Sequence, residues 1–166
     1  LNPMDVRLNI HTHSAEQTRT VGQYIGEYAQ EGDIFLLSGE LGTGKTCLTQ
    51  GIAVGLGVPG YVRSPTFVLM TQYQGRLRLH HMDLYRLEGS FQAWDLGIEE
   101  QLTSNDVCVI EWADRASDIF PEESLWIDLT HNQNSDSRNI TFYSQSSKYE
   151  SIITKLKQIN FGIERN

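Results

Sequence analysis

Residues 34–50 read IFLLSGELGTGKTCLTQ. Ile34, Phe35, Leu36 and Leu37 form an apolar run of strand length without alternation, the pattern of a strand covered on both faces. Leu48, Ile52 and Leu56 then recur at helical spacing, so residues 46–56 are predicted to be a helix. Between strand and helix lies Gly39-Glu40-Leu41-Gly42-Thr43-Gly44-Lys45-Thr46, a glycine, four residues and then Gly-Lys-Thr. Glycines let successive backbone N–H groups converge on an anion where a Cβ would obstruct them, and the helix start adds its own amides and positive dipole end. The order therefore predicts a cradle for a di- or triphosphate. Lys45 supplies a point charge for the β- and γ-phosphates, and Thr46 supplies a hydroxyl for Mg2+. A chain of this length should match the pattern by chance on the order of once in two hundred, given ordinary residue frequencies. The correct strand and helix flanks lower that further.

Around this core the chain reads as an α/β protein. Residues 14–29 place Ala15, Thr18, Val21, Ile25 and Tyr28 at helical spacing, with Ser14 as N-cap and Gln17 as its capping-box partner. Residues 66–73, 76–82 and 107–111 read as strands, the first two as a hairpin about Gln74-Gly75. Residues 90–102 carry Phe91, Trp94, Leu96 and Ile98 in short helical pieces. Residues 125–129 and 139–143 read as late strands about the polar loop HNQNSDSR at 131–138, and residues 148–159 as a last helix. The hairpin is too short for a crossover helix, so the sheet is predicted to be mixed.

Composition limits the function classes. The 166 residues, 39% hydrophobic, suit one globular domain. The formal net charge of −8 gives no electrostatic basis for clamping a nucleic-acid backbone, so any RNA partner is expected to be held by another protein. The sequence lacks a charged-then-apolar leader, and no apolar run approaches the ~18 residues that span a bilayer. A soluble, cytoplasmic protein without a membrane partner is expected. Cys47 and Cys108 stand alone, which suits a reducing compartment, with Cys108 read as core. Cys47 lies in the first turn of the predicted phosphate-binding helix, where the dipole favours a thiolate. His11, His13, His80 and His81 lack partner cysteines or HExxH spacing, so no structural zinc is expected.

Hydrolysis needs carboxylates at strand ends. Glu111 closes Val107-Cys108-Val109-Ile110-Glu111, and Asp83 closes the strand in His81-Met82-Asp83-Leu84-Tyr85-Arg86. Both are candidate magnesium ligands, and Asp83 could instead orient water.

GELGTGKT, Ser64-Pro65-Thr66-Phe67, HMDLYR at 81–86 and Glu111-Trp112 together resemble the TsaE (YjeE) family of bacterial P-loop ATPases. The resemblance runs from SAEQT at 14–18 to SRNI at 137–140. It implies a three-layer P-loop fold and an accessory ATPase in the formation of threonylcarbamoyladenosine in tRNA. In that system TsaD, working with TsaB, performs the transfer, and the tRNA is reached only through their complex. The resemblance assigns the ATP/ADP cradle to Gly39, Glu40, Leu41, Gly42, Thr43, Gly44, Lys45, Thr46 and Cys47, and Mg2+ to Thr46 and Glu111. Asp83 and Thr66 match two switch-like segments, Trp112 an aromatic beside the active site, Ser14 and Thr18 the segment flanking the base, and Arg138 a late arginine that approaches the nucleotide. For Ser64 and Thr66 a turn about Pro65, for Trp112 a core position, for Ser14 a helix cap and for Arg138 a solvated loop are the plainer alternatives. After Arg86 the family usually carries two acids, where this chain reads LEGSFQAWDLG, so its partner-facing surface is expected to differ. Two other classes share such a loop. A small-molecule kinase needs an arginine-bearing lid, and no basic lid segment stands out. A nucleotide-gated binding module would hydrolyse only incidentally.

Overall fold

The structure is a computed structural model that describes residues 5–66 and 69–159. Seven strands form one mixed sheet: β1 (Asp5–Thr12), β2 (Ile34–Ser38), β3 (Met70–Gln74), β4 (Arg78–Asp83), β5 (Val107–Glu111), β6 (Leu125–His131) and β7 (Arg138–Ser144). Their spatial order is β1-β7-β6-β2-β5-β4-β3. The four inner strands β6, β2, β5 and β4 run parallel, while β3 adds antiparallel at one edge and β7 with β1 at the other. The helices are α1 (Ala15–Tyr28), α2 (Lys45–Gly55), α3 (Ser90–Asp95), α4 (Glu99–Leu102) and α5 (Glu150–Leu156).

Period-two alternation sorts the strand side chains onto two cores, giving the expected three layers. Phe35, Leu37, Leu79, Val107, Val109, Leu125 and Ile127 pack under α1, α2 and α5. Ile34, Leu36, Met82, Cys108 and Ile110 face α3, α4 and the 3-10 segment Ala113–Ile119. β2 is buried from both sides, which explains its unbroken apolar run.

α1 and α2 meet almost without side chains between them. A Cβ added at Gly26 would lie 2.1 Å from the Ile52 carbonyl oxygen, and one at Gly51 would lie 2.1 Å from that of Arg19. Gly22 and Gly55 complete this seam. It sets α2, and with it the phosphate loop, directly against the first helix.

The structure departs from the sequence reading at three places. β1 was not predicted at all. The strand expected over 66–73 begins only at Met70: Thr66 lies in a turn and Leu69 takes a left-handed φ of 70°, which breaks the extended run. Phe67 and Val68 lie outside the described residues. The last helix begins as a 3-10 turn, Ser147–Tyr149, before α5. The late strands and their polar connection form the β6–β7 hairpin as expected. Cys108 is core, and burial holds its thiol up at about 12.

Candidate functional site

The parallel strands β2, β4 and β5 all end at the same edge of the sheet, where ligands of open α/β folds bind. The chain leaves β2 at Ser38, turns through residues 39–44 and enters α2 at Lys45. Gly44 caps α2 with a left-handed φ of 100° and no side-chain hydrogen bond, which leaves first-turn amides for a ligand. Gly39 has no room for a side chain, since a Cβ there would lie 2.4 Å from the Leu129 carbonyl oxygen. A cleft of about 460 Å³ opens beside the loop, lined among others by Lys45, Thr46, Thr66, Asp83, Glu111 and Trp112.

Lys45 folds back onto its own loop. Its Nζ donates to the carbonyls of Gly39 (2.6 Å) and Glu40 (2.8 Å) and sits 4.0 Å above the Trp112 ring. Burial lowers its pKa, and the carboxylates of Glu111, Asp114, Asp83 and Asp128 draw it partly back. Thr43 ties the loop internally, with its hydroxyl donating to the Glu40 carbonyl at 2.8 Å. Glu40, Leu41 and Gly42 form the exposed rim.

The acidic side of the cleft comes from β4 and β5. Glu111 and Asp83 are register partners at the strand ends and both are buried. The Thr46 hydroxyl donates to Glu111 Oε1 at 2.7 Å, and His81 Nε2 contacts Glu111 Oε2. For Asp83, Oδ2 accepts from Ser64 (2.7 Å) and Thr66 (3.0 Å), and Oδ1 accepts from the Tyr85 amide at 2.9 Å. The two segments read as switch-like from the sequence are therefore joined here through one carboxylate. Thr46 and Glu111 supply hard oxygen donors, the chemistry Mg2+ takes when it binds one or two carboxylates together with phosphate oxygens and water. Asp83 is hydrogen-bonded through both oxygens as Glu111 is, and its Oδ1, which accepts only the Tyr85 amide, keeps a lone pair for such an ion or its water. No group of three or more His, Cys, Asp and Glu residues that could hold a metal occurs among the described residues.

Trp112 turns out of β5 in the left-handed region (φ 58°), packs at a tilt of 51° against Tyr85 with ring centroids 4.9 Å apart, and lies below Arg115. It is half-buried, lining the cleft on one side and packing against the second core on the other. Ser14 caps α1, accepting from the Gln17 amide at 3.1 Å, while the Gln17 side chain accepts from the His13 amide. Thr18 is buried, with its hydroxyl 2.8 Å from that of Thr12. Both stand near the loop, because the Cys47 thiol donates to the Ala15 carbonyl. Cys47 corrects an expectation: burial raises its pKa and outweighs the nearby Arg19 and Arg138 charges, so the thiol form is favoured. Arg138 is half-buried, with its guanidinium turned onto the backbone of the loop. Its guanidinium donates to the carbonyls of Thr43 (2.8 Å), Gly42 (3.1 Å), Ser135 and Ser137, bracing the phosphate loop from behind.

Sequence reasoning missed the roles of His81, Tyr85 and Arg115, and the Ser38–Asp128 hydrogen bond (2.8 Å) that joins β2 to β6 behind the loop. His81 was within reach of the alternation rule, because it precedes Asp83 by two and shares its face. On α3, Phe91 and Trp94 are exposed.

Comparison with known proteins agrees with this geometry. A family model described as "Threonylcarbamoyl adenosine biosynthesis protein TsaE" matches residues 12–140. The tRNA threonylcarbamoyladenosine biosynthesis protein TsaE of Bacillus subtilis is 37% identical over 153 residues, covering 92% of this chain and 95% of that protein. The Treponema pallidum protein of the same name is 42% identical over 118 residues, covering 71% and 87%. The crystal structure of Bacillus subtilis YdiB superposes with a TM-score of 0.81 at 32% identity, covering 94% of this chain and 98% of that one. By loop, sheet order and sequence alike, the chain belongs to the TsaE family of P-loop nucleotide-binding proteins.

Proposed function

We propose that this chain binds ATP with Mg2+, hydrolyses it slowly alone, and acts as the accessory ATPase of tRNA threonylcarbamoyladenosine formation with the TsaD–TsaB transferase. The observation that carries the proposal is the meeting of the loop start with the strand-end acids: Thr46 Oγ1 lies 2.7 Å from Glu111 Oε1, and Asp83 stands opposite Glu111 in register. A phosphate cradle alone would serve storage or signalling. A cradle facing two buried carboxylates is equipped to orient a metal and a water.

The chemistry of the chain's own groups follows. Loop amides and the α2 N-terminus receive the phosphates, and Lys45 exchanges its carbonyl partners for phosphate oxygens. Thr46 and Glu111 would hold Mg2+, which would supply positive charge against the phosphates as charge develops on them. Asp83 keeps Ser64 and Thr66 beside the γ-phosphate position, where the Thr66 hydroxyl senses whether that group is present. The Trp112–Tyr85 pair closes the cleft wall. The relatives' names support placement in tRNA modification, and no helix among the described residues is long and apolar enough to cross a membrane.

Phosphate release measured alone, with small-molecule acceptors, and with the TsaB–TsaD pair tests the reading. Slow release alone that quickens with the pair, together with ATP-dependent repeated turnovers of the transferase, supports it. Transfer to an acceptor would instead make the chain a kinase, and nucleotide binding without hydrolysis under any condition would make it a gated module.

A further inference from the structure

The two oxygens of Glu111 keep different company. Oε1 accepts from Thr46, at the mouth of the cleft, while Oε2 points inward to His81 Nε2. The His81 side chain is 0% exposed and that of Glu111 is 2% exposed. Alternation places His81, Asp83 and Glu111 on one face of the sheet, and the register sets His81 opposite Val109, so His81 reaches Glu111 along the cross-strand diagonal. The other ring nitrogen, Nδ1, is buried and has no hydrogen-bond partner among the described residues. Orphaned buried N–H groups are rarer than under-satisfied acceptors, so the proton belongs on Nε2 and the bare lone pair on Nδ1. All that this ring offers is directed at one carboxylate oxygen.

Glutamate's last torsion is broad and roughly two-fold, so a carboxylate held at one oxygen only is free to rock. We propose that His81 is a positioning residue for Glu111: its Nε2–H clamps Oε2, fixes the rotation of the carboxylate and keeps Oε1 aimed at the Thr46 hydroxyl and the adjoining Mg2+ position. The inference rests on the reading of Thr46 and Glu111 as the magnesium pair. Losing such an outer partner of a metal ligand costs roughly 10–100-fold in metal affinity. Nucleotide held by the loop amides alone should be indifferent to it.

The test is a MgCl2 titration of binding of the fluorescent analogue mant-ATP, with a matched series in EDTA, for the parent chain and for His81→Leu, His81→Gln and His81→Asn. Gln can present an N–H near the Nε2 position, whereas the Asn amide ends one bond short. We expect His81→Leu and His81→Asn to raise the half-saturating Mg2+ concentration about 10–100-fold. His81→Gln should return to within a few-fold of the parent, and affinity in EDTA should be unchanged throughout. An unchanged Mg2+ midpoint in His81→Leu overturns the proposal, as do equal shifts in the Gln and Asn variants, which would mark a packing role. Circular dichroism establishes folding, and if the Leu variant does not fold, the Gln-to-Asn contrast alone decides. A parent chain that binds mant-ATP independently of Mg2+ would overturn the magnesium reading itself, a result distinct from a Mg2+-dependent parent whose His81 variants behave like it.

Discussion

Replacing Arg138 by Met tests whether the phosphate loop is braced from behind. The structure gives two contacts to the loop itself: Nε to the Thr43 carbonyl at 2.8 Å, partly buried, and Nη2 to the Gly42 carbonyl at 3.1 Å, exposed. A hydrogen bond from a charged donor is worth roughly 1.5–3 kcal/mol, and the exposed one belongs at or below the bottom of that range, so the pair sums to about 3 kcal/mol. Water will recover part of this at the carbonyls. If the bracing energy preorganises the loop, its loss appears in nucleotide affinity as a rise in Kd of about 10–100-fold. Calorimetric titration of MgATP into the parent, Arg138→Met and Arg138→Lys distinguishes bracing from direct charge attraction. Lys keeps the charge but cannot fork to both carbonyls, so under the bracing account it recovers little. An Arg138→Lys variant that binds like the parent while Arg138→Met does not would refute the reasoning in favour of simple electrostatics, and parental affinity in both would show that the loop needs no brace.

Lys45→Ala should raise the Kd for MgATP at least ~30-fold, the loss of one partner from a charge-assisted contact worth about 2 kcal/mol or more, as read by the same titration. Glu111→Gln should retain nucleotide yet slow single-turnover phosphate release by about 10²-fold or more, and parental turnover would remove Glu111 from the mechanism. Gly26→Ala sets a Cβ 2.1 Å from a backbone oxygen. Overpacking of ~3 kcal/mol, less ~1 kcal/mol of helix propensity, leaves about 2 kcal/mol, hence a thermal midpoint ~4–8 °C lower by circular dichroism. Asp33 has its pKa raised from 3.8, chiefly by burial, with the Gln30 amide and Lys148 pulling the other way. The folded state therefore holds the proton more tightly, and stability is lost as pH rises from 3.8 through the raised value. Urea unfolding of Asp33→Asn should match the parent at low pH and exceed it near neutrality, and a constant difference across that range would refute the assignment.

What could be read from the sequence was what neighbouring residues decide together. The strand-loop-helix about Lys45 is contiguous, and its glycines, lysine and threonine each answer a local requirement. The α1 cap, the β3–β4 hairpin, the short pieces at 90–102 and Glu111 at the end of β5 were likewise local signals. β1 was missed although Val6, Leu8, Ile10 and Thr12 alternate, because an edge strand with polar outer positions gives a weak signal until its partner β7, over a hundred residues away, is in place. The strand expected from 66 starts only at Met70 because Thr66 lies in a turn and Leu69 is left-handed, and the contacts of Ser64 and Thr66 with Asp83 that accompany this turn are tertiary, outside any window of propensity. Arg138 was linked to the nucleotide only by resemblance to a late arginine of the family, and its contacts with the Gly42 and Thr43 carbonyls, over ninety residues away, come from the fold alone. His81 shows the same limit: its motif position was visible, its partner was not.

The glycine seam has a mechanical corollary. Two helices in backbone contact have no interleaved side chains whose rotamers could let them slide, so α1 and α2 must travel as one rigid lever, and the loop rides on it. A rearrangement that follows a change of bound nucleotide would then be taken up across the cleft, where the Ser64 and Thr66 hydroxyls both donate to the one Asp83 oxygen. A third macromolecule sensing the nucleotide would find its moving part there, and its fixed reference on the first helix.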